Sequence, residues 1–253
     1  MTEPVRLAKR LAHQMGCSRS VAEQYIEGGW VAVDGVLVEE PMARVTDAQS
    51  VVVDPNASLV ALLPMTLLLH VPPAYAVNHA GHRSKGQDGA FALLTAENRF
   101  KNDRSGVRSI KKHFAQQQVV AALDAGACGL AIWTQDFRVG RKLFEDAQYV
   151  EHEYMVEIDG VVSPAALLRL GQPFTIQGRR LPAVRVSVSS ARSDGQRSSL
   201  RFAIKGPAPQ QVAMMCELVE LPVRSIKRSR VGSIALQQLA AGQWRYLASH
   251  ERF

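Results

Sequence analysis

The chain has 253 residues, 47% of them hydrophobic and 21% charged, which excludes a disordered, fibrous or collagen-like protein and leaves room for one or two packed domains. Thirty Lys and Arg against 23 Asp and Glu give a formal net charge of +7, which points to an anionic partner, nucleic acid first. Three distant cysteines, Cys17, Cys128 and Cys216, fit a reducing cytosol and exclude a zinc site built on close Cys pairs.

The N-terminus MTEPVRLAKRLA has no apolar signal core. Residues 5–15 space Leu7, Leu11 and Met15 four apart, which predicts one apolar stripe of a helix stopped by Gly16. Ser18 is a natural N-cap for a second helix carrying Val21, Ala22, Tyr25 and Ile26 on one face. WVAVDGVLV then predicts two short strands around an Asp34-Gly35 turn, with a further strand over 50–53. Pro55, Asn56 and Ser58 mark a boundary, so the expected domains are 1–58 and 62–253.

The most apolar run, 59–71, holds Pro64 and His70 and is too short for a membrane helix, so no membrane partner is expected. MTLLLHV, GLAIWTQ and EYMVEIDG predict strands. RSGVRSIKKHFAQ reads as a basic helix, with Lys101, Arg104, Arg108, Lys111 and Lys112 at helical spacing, and VGRKLFEDAQ as another helix. RLPAVRVSVSS and SSLRFAIKG predict two strands joined at Asp194-Gly195, 210–218 a helix, and SIKRSRVGSIAL a basic strand region. The expected class is α+β: a small helix–helix–sheet domain, then a larger, mainly antiparallel sheet domain with flanking helices. His70, His79 and His82 lack the Cys or paired carboxylates that would make them a metal site.

Residues 1–60 hold five Lys and Arg against eight Asp and Glu, so the excess positive charge lies beyond them. Within this acidic first part Arg6, Lys9, Arg10 and Arg19 still form a local basic face, because exposed charges are screened beyond about 8–10 Å. Lys111 and Lys112, and the run Arg224, Lys227, Arg228 and Arg230, read as phosphate-tracking residues.

VRLAKRLA followed by CSRSVAEQYIEGGWVAVDGV resembles the small RNA-binding domain named after a ribosomal protein of the small subunit. The remainder resembles the RsuA-type ribosomal RNA pseudouridine synthases: VAALDAGACGLAIWTQD is similar to their G-R-L-D and G-L-L-L-L-T-N-D segment, EYMVEIDG to their tyrosine strand, QQVAMMCE to their Q-I-R-R-M helix, and SIKRSRVGSIALQQLAAGQWRYL to their C-terminal segment. The resemblance implies a cofactor-free isomerisation of uridine in structured RNA, with no metal, by a cytoplasmic monomer. It assigns the catalytic carboxylate to Asp124, the ring that receives the flipped base to Tyr154, and the aliphatic border of the base pocket to Val212. It also implies departures: Ala121 and Ala122 stand for the Gly and Arg ahead of Leu-Asp, Val71 for a lysine, Ala213 and Met214 for arginines, and His152 for a lysine near the tyrosine strand. The other function these departures allow is a synthase scaffold that binds RNA without chemistry.

Overall fold

The computed structural model describes residues 3–59, 62–73, 75, 77, 89–176, 178–191 and 196–253. Contacts divide the chain into two units, residues 1–64 with 107–117, and residues 65–106 with 118–253.

The first unit contains β1 (Val5–Arg6), α1 (Leu7–Met15), α2 (Arg19–Glu27), β2 (Val31–Val33), β3 (Val36–Leu37), β4 (Arg44–Val45) and β5 (Val51–Val53). The first helix begins two residues later than the sequence predicts, because Val5 and Arg6 pair with Val45 and Arg44 instead. Gly16 closes it at φ 64°, a left-handed position that suits glycine. Ser18 Oγ accepts the Val21 amide at 3.2 Å and caps α2. Leu7, Leu11, Ala22, Ile26 and Val31 make the core. Asp34 and Gly35 take φ 51° and 79°, the pair of left-handed residues that a two-residue hairpin needs, and the Asp34 carboxylate accepts from Ser50 N and Gln49 Nε2.

The expected basic helix around residues 101–115 does not form. Its only helical piece is a single 3-10 turn at Lys111–Phe114. Gly106, with φ 70°, interrupts the run, and Val107 and Ile110 add β-branched residues that resist helix. Residues 107–117 fold against the first unit: Arg108 lies 4.4 Å from the Trp30 ring centre and the Lys111 amide donates to Glu39 at 2.7 Å.

The second unit contains β6 (Thr66–Val71), β7 (Gln118–Ala121), β8 (Ala127–Thr134), α3 (Phe137–Phe144), β9 (Glu151–Asp159), α4 (Pro164–Leu170), β10 (Phe174–Ile176), β11 (Arg179–Leu181), β12 (Arg185–Ala191), β13 (Arg197–Lys205), α5 (Gln211–Glu217), β14 (Val223–Val231), β15 (Ile234–Ala235) and β16 (Trp244–Tyr246). Its main sheet runs β12-β13-β9-β14-β8-β6-β16, with β7 on β8 and β15 on β14. The Asp194-Gly195 turn expected between β12 and β13 lies outside the described residues. The pairings are antiparallel except β14 with β8, which run parallel.

Alternation along β9 and β13 puts Tyr154, Val156, Ile158, Leu200, Phe202 and Ile204 on one face. That face is covered by α4, the β10–β11 hairpin and α5, through Leu170, Phe174, Ile176, Val212 and Met215. A second core, with Leu68, Leu130, Ile132 and Val231, packs under Leu143 of α3. Asp136 caps α3 by accepting the Arg138 amide at 2.8 Å.

Candidate active site

Asp124 lies in the turn that joins β7 to β8, half-exposed, with its carbonyl accepting the Ala127 amide at 3.0 Å. Gly126 in this turn has φ 79°, and Leu123 anchors it in the interior. Tyr154 sits in β9 with Arg228 of β14 directly opposite, and Arg228 is opposite Gly129 of β8 on its other side.

Arg228 is 3% exposed, although the sequence reading put it on the phosphate track. The reason is alternation: Ile226 and Arg228 share the inward face of β14, and Lys227 points the other way, exposed. A buried guanidinium needs its donors filled. Here Nε donates to Leu130 O at 2.8 Å, Nη1 to Ala122 O at 2.7 Å, and Nη2 to Ala121 O at 2.7 Å and Leu130 O at 2.5 Å. Two of these carbonyls lie two and three residues ahead of Asp124, and the third is in the middle of β8. One side chain thereby ties the segment that leads into the turn to the strand that leaves it.

The same guanidinium acts electrostatically on the Tyr154 phenol and on Asp124. Burial pulls the Arg228 pKa below the ordinary arginine value, and Tyr154 and Asp124 oppose that shift. Burial pushes the Tyr154 phenol up, against the pull of Arg228. Close approach of β8 and β14 makes this contact possible. Gly129 has φ 105°, and a Cβ there would lie 2.7 Å from Arg228 N.

His152 precedes Tyr154 by two residues on the same face of β9, and the rings are 6.3 Å apart at 30°. Its Nδ1 is buried without a hydrogen-bond partner. Burial, reinforced by Arg228 and Arg230, lowers its pKa to about 3, so the imidazole is neutral near pH 7. Val212, 3% exposed, packs from α5 into the core that holds Tyr154. Among the described residues no cluster of His, Cys, Asp and Glu could hold a metal ion. His70 spends Nδ1 on Leu239 O at 2.7 Å, and His79 and His82 lie outside the described residues.

The other basic residues sort by their partners. Arg6 and Lys9 are exposed and make no ion pair among the described residues, whereas Arg10 meets Asp47 and Arg19 meets Glu23, each at 3.0 Å. Lys111 faces Glu40 at 3.4 Å and Lys112 faces Glu27 at 2.5 Å. Arg224 pairs with Asp159 at 3.6 Å, and Arg230 with Glu151 at 2.7 Å and Glu153 at 3.4 Å.

Sequence reasoning named Asp124, Tyr154 and Val212, and it set Arg228 among the phosphate-tracking residues, where the structure buries it opposite Tyr154. The alternation of Ile226 and Arg228 in β14 was the available signal for an inward arginine.

Residues 5–51 match the S4 domain. The chain is 25% identical over 98% of its length to an "Uncharacterized RNA pseudouridine synthase" of Aquifex aeolicus, covering 94% of that protein. It is 25% identical over 97% of its length to "Ribosomal large subunit pseudouridine synthase B" of Bacillus subtilis, covering 93% of it. It is 23% identical to "Ribosomal small subunit pseudouridine synthase A" of Salmonella typhimurium, with 98% of each chain covered. The fold matches that of a solved pseudouridylate synthase with a TM-score of 0.55 at 15% identity, over 96% of both chains. The chain thus joins an S4 domain to a body homologous to the ribosomal RNA pseudouridine synthases.

Proposed function

We propose that the protein is an RNA pseudouridine synthase acting on structured, ribosomal RNA, and that it works as a cytoplasmic monomer without metal or cofactor. The observation that carries this reading is the buried Arg228, which holds two carbonyls just ahead of Asp124 and stands opposite Tyr154 in the neighbouring strand. A merely RNA-holding scaffold has no use for a buried cation at a half-exposed carboxylate, given what burying a charge costs.

In the proposed reaction the N1–C1′ bond of uridine breaks, the uracil turns, a C5–C1′ bond forms, and the C5 proton leaves as N1 regains one. Atoms and electrons balance, so no co-reactant enters. Asp124 acts at C1′, as a nucleophile or as the anion that stabilises the sugar cation. Arg228 keeps that carboxylate aimed and Tyr154 supports the extruded base. With Ala122 and Ala213 in place of arginines, the cation proposed to act on Asp124 is Arg228 of β14, through space and not as an ion pair.

The test is Asp124→Asn, assayed by release of label from RNA carrying 5-tritiated uridine. Folding and RNA affinity are expected to persist and tritium release to stop. Wild-type protein that releases no tritium from any ribosomal RNA would overturn the enzymatic reading in favour of the binding scaffold. A fully active Asp124→Asn would move the chemistry away from this turn.

A further inference from the structure

The proteins's excess of positive charge has to reside where cations outnumber carboxylates. Most of the basic residues picked out by density in the sequence face a carboxylate in the structure. Residues 160–193 are different: they contain five arginines and no Asp, Glu or Lys. Three of these arginines, Arg169, Arg179 and Arg180, are exposed and form no ion pair among the described residues.

Their scaffold is specific. β10 and β11 form a two-stranded antiparallel ribbon, separate from the main sheet, with Phe174 opposite Leu181 and Ile176 opposite Arg179. Phe174, 2% exposed, roots the ribbon in the core that contains Tyr154 and Val212, with Ile176 packed against the same core, and Leu181 opposite Phe174 is 5% exposed. Arg169 of α4 braces the root: its guanidinium is 4.0 Å from the Phe174 ring centre and donates to Pro173 O at 3.3 Å. Pleating places Arg180 and Arg179 on opposite faces of the ribbon, beyond the buried pair. The ribbon therefore rises on the same side of the sheet as the proposed site, bearing arginines that pair with no carboxylate among the described residues.

We propose that the β10–β11 ribbon is a phosphate-gripping arm that holds the RNA backbone flanking the target uridine, through Arg179 and Arg180. Guanidinium forks match phosphate oxygens in a bidentate way, and a charge with no local carboxylate keeps its full attraction for a polyanion. An arginine already in a pair must give up that pair first. The inference rests on the reading that the chain binds ribosomal RNA.

The experiment measures binding of protein-free 16S and 23S ribosomal RNA by the full chain as a function of salt. It compares wild type, R179Q with R180Q, and, as a control, R185Q with R201Q, whose arginines are paired with Glu151 and Glu153. The ribbon variant is expected to bind more weakly and to flatten the log–log salt slope by about 1.4 to 1.8 units, with an unchanged melting temperature. The control is expected to change the slope by less than half of that. Ribbon and control variants of equal slope, with wild type binding, would overturn the arm and leave the proposed function intact. Wild type that fails to bind either RNA would overturn both. Unchanged binding to bare RNA with weakened binding to assembled ribosomal subunits would give the ribbon to a protein surface and overturn the proposal.

Discussion

At the scale of the residue, the proposed chemistry turns on Arg228, which comes from β14 and not from the segment that carries Asp124. Arg228 is held by backbone carbonyls instead of by a carboxylate, so its removal leaves Ala121, Ala122 and Leu130 carbonyls unpaired in the interior. Arg228→Met is therefore expected to cost about 2–4 kcal/mol in urea unfolding and to abolish activity. Arg228→Lys keeps the charge but cannot reach three carbonyls, and its turnover is expected to fall by roughly 100-fold with little change in RNA affinity. His152 gives a pH signature. Its folded pKa of about 3 lies below the ordinary 6.5, so between these values the unfolded chain takes up a proton that the folded chain refuses. Stability from this residue is complete above about pH 6.5 and is lost as the pH falls toward 3. Urea midpoints at neutral and mildly acidic pH should show a loss in wild type that is about 1–2 kcal/mol smaller in His152→Gln over the interval from about 6.5 to 5. Equal losses in both proteins would mean that another group carries the acid sensitivity.

At the scale of the element, the site is set by how closely β8 and β14 approach. Gly129→Ala places a methyl group against the Arg228 backbone and strains a φ of 105°, so it is expected to destabilise the chain by about 2–4 kcal/mol and to abolish activity. Activity with wild-type stability would show that the strands can separate without harm. A milder change, Ser18→Ala, removes the cap of α2 and is expected to cost about 1 kcal/mol. Most elements were legible because their signals are local: the Ser18 cap, the Asp34-Gly35 turn, the alternation of EYMVEID. The basic run near residue 108 misled because both its charges and Val107, Ile110 and Phe114 keep helical spacing, while Gly106 at φ 70° breaks the backbone that would carry them. The pairing of Arg228 with Tyr154 and Gly129 was not legible, since it joins strands about 75 and 100 residues away in the chain. Only the sheet order shows that three distant segments meet.

For the whole molecule, the distribution of ion pairs decides what RNA would feel. Exposed pairs such as Lys111 with Glu40 contribute little stability, and a phosphate can compete for the lysine. Arg6 and Lys9 need no such exchange. Arg6→Gln with Lys9→Gln is expected to flatten the salt slope of RNA binding by about 1.8 units for a duplex contact, and Arg10→Gln, already paired with Asp47, by less than one. Filter binding across salt concentrations reads both, and equal effects would show that the pairing in the free protein is irrelevant to docking.

The position of β14 carries a consequence for how the protein comes to be. It follows β8 and β9 in the chain, yet it lies between them in the main sheet. Until residues 223–231 are made, β9 and residues 127–129 of β8 lack a neighbour on that side, and the carbonyls that Arg228 will occupy are open. Unpaired edges of that kind invite aggregation in a nascent chain. Completion of the sheet and completion of the proposed site are then a single event, which waits on the synthesis of β14.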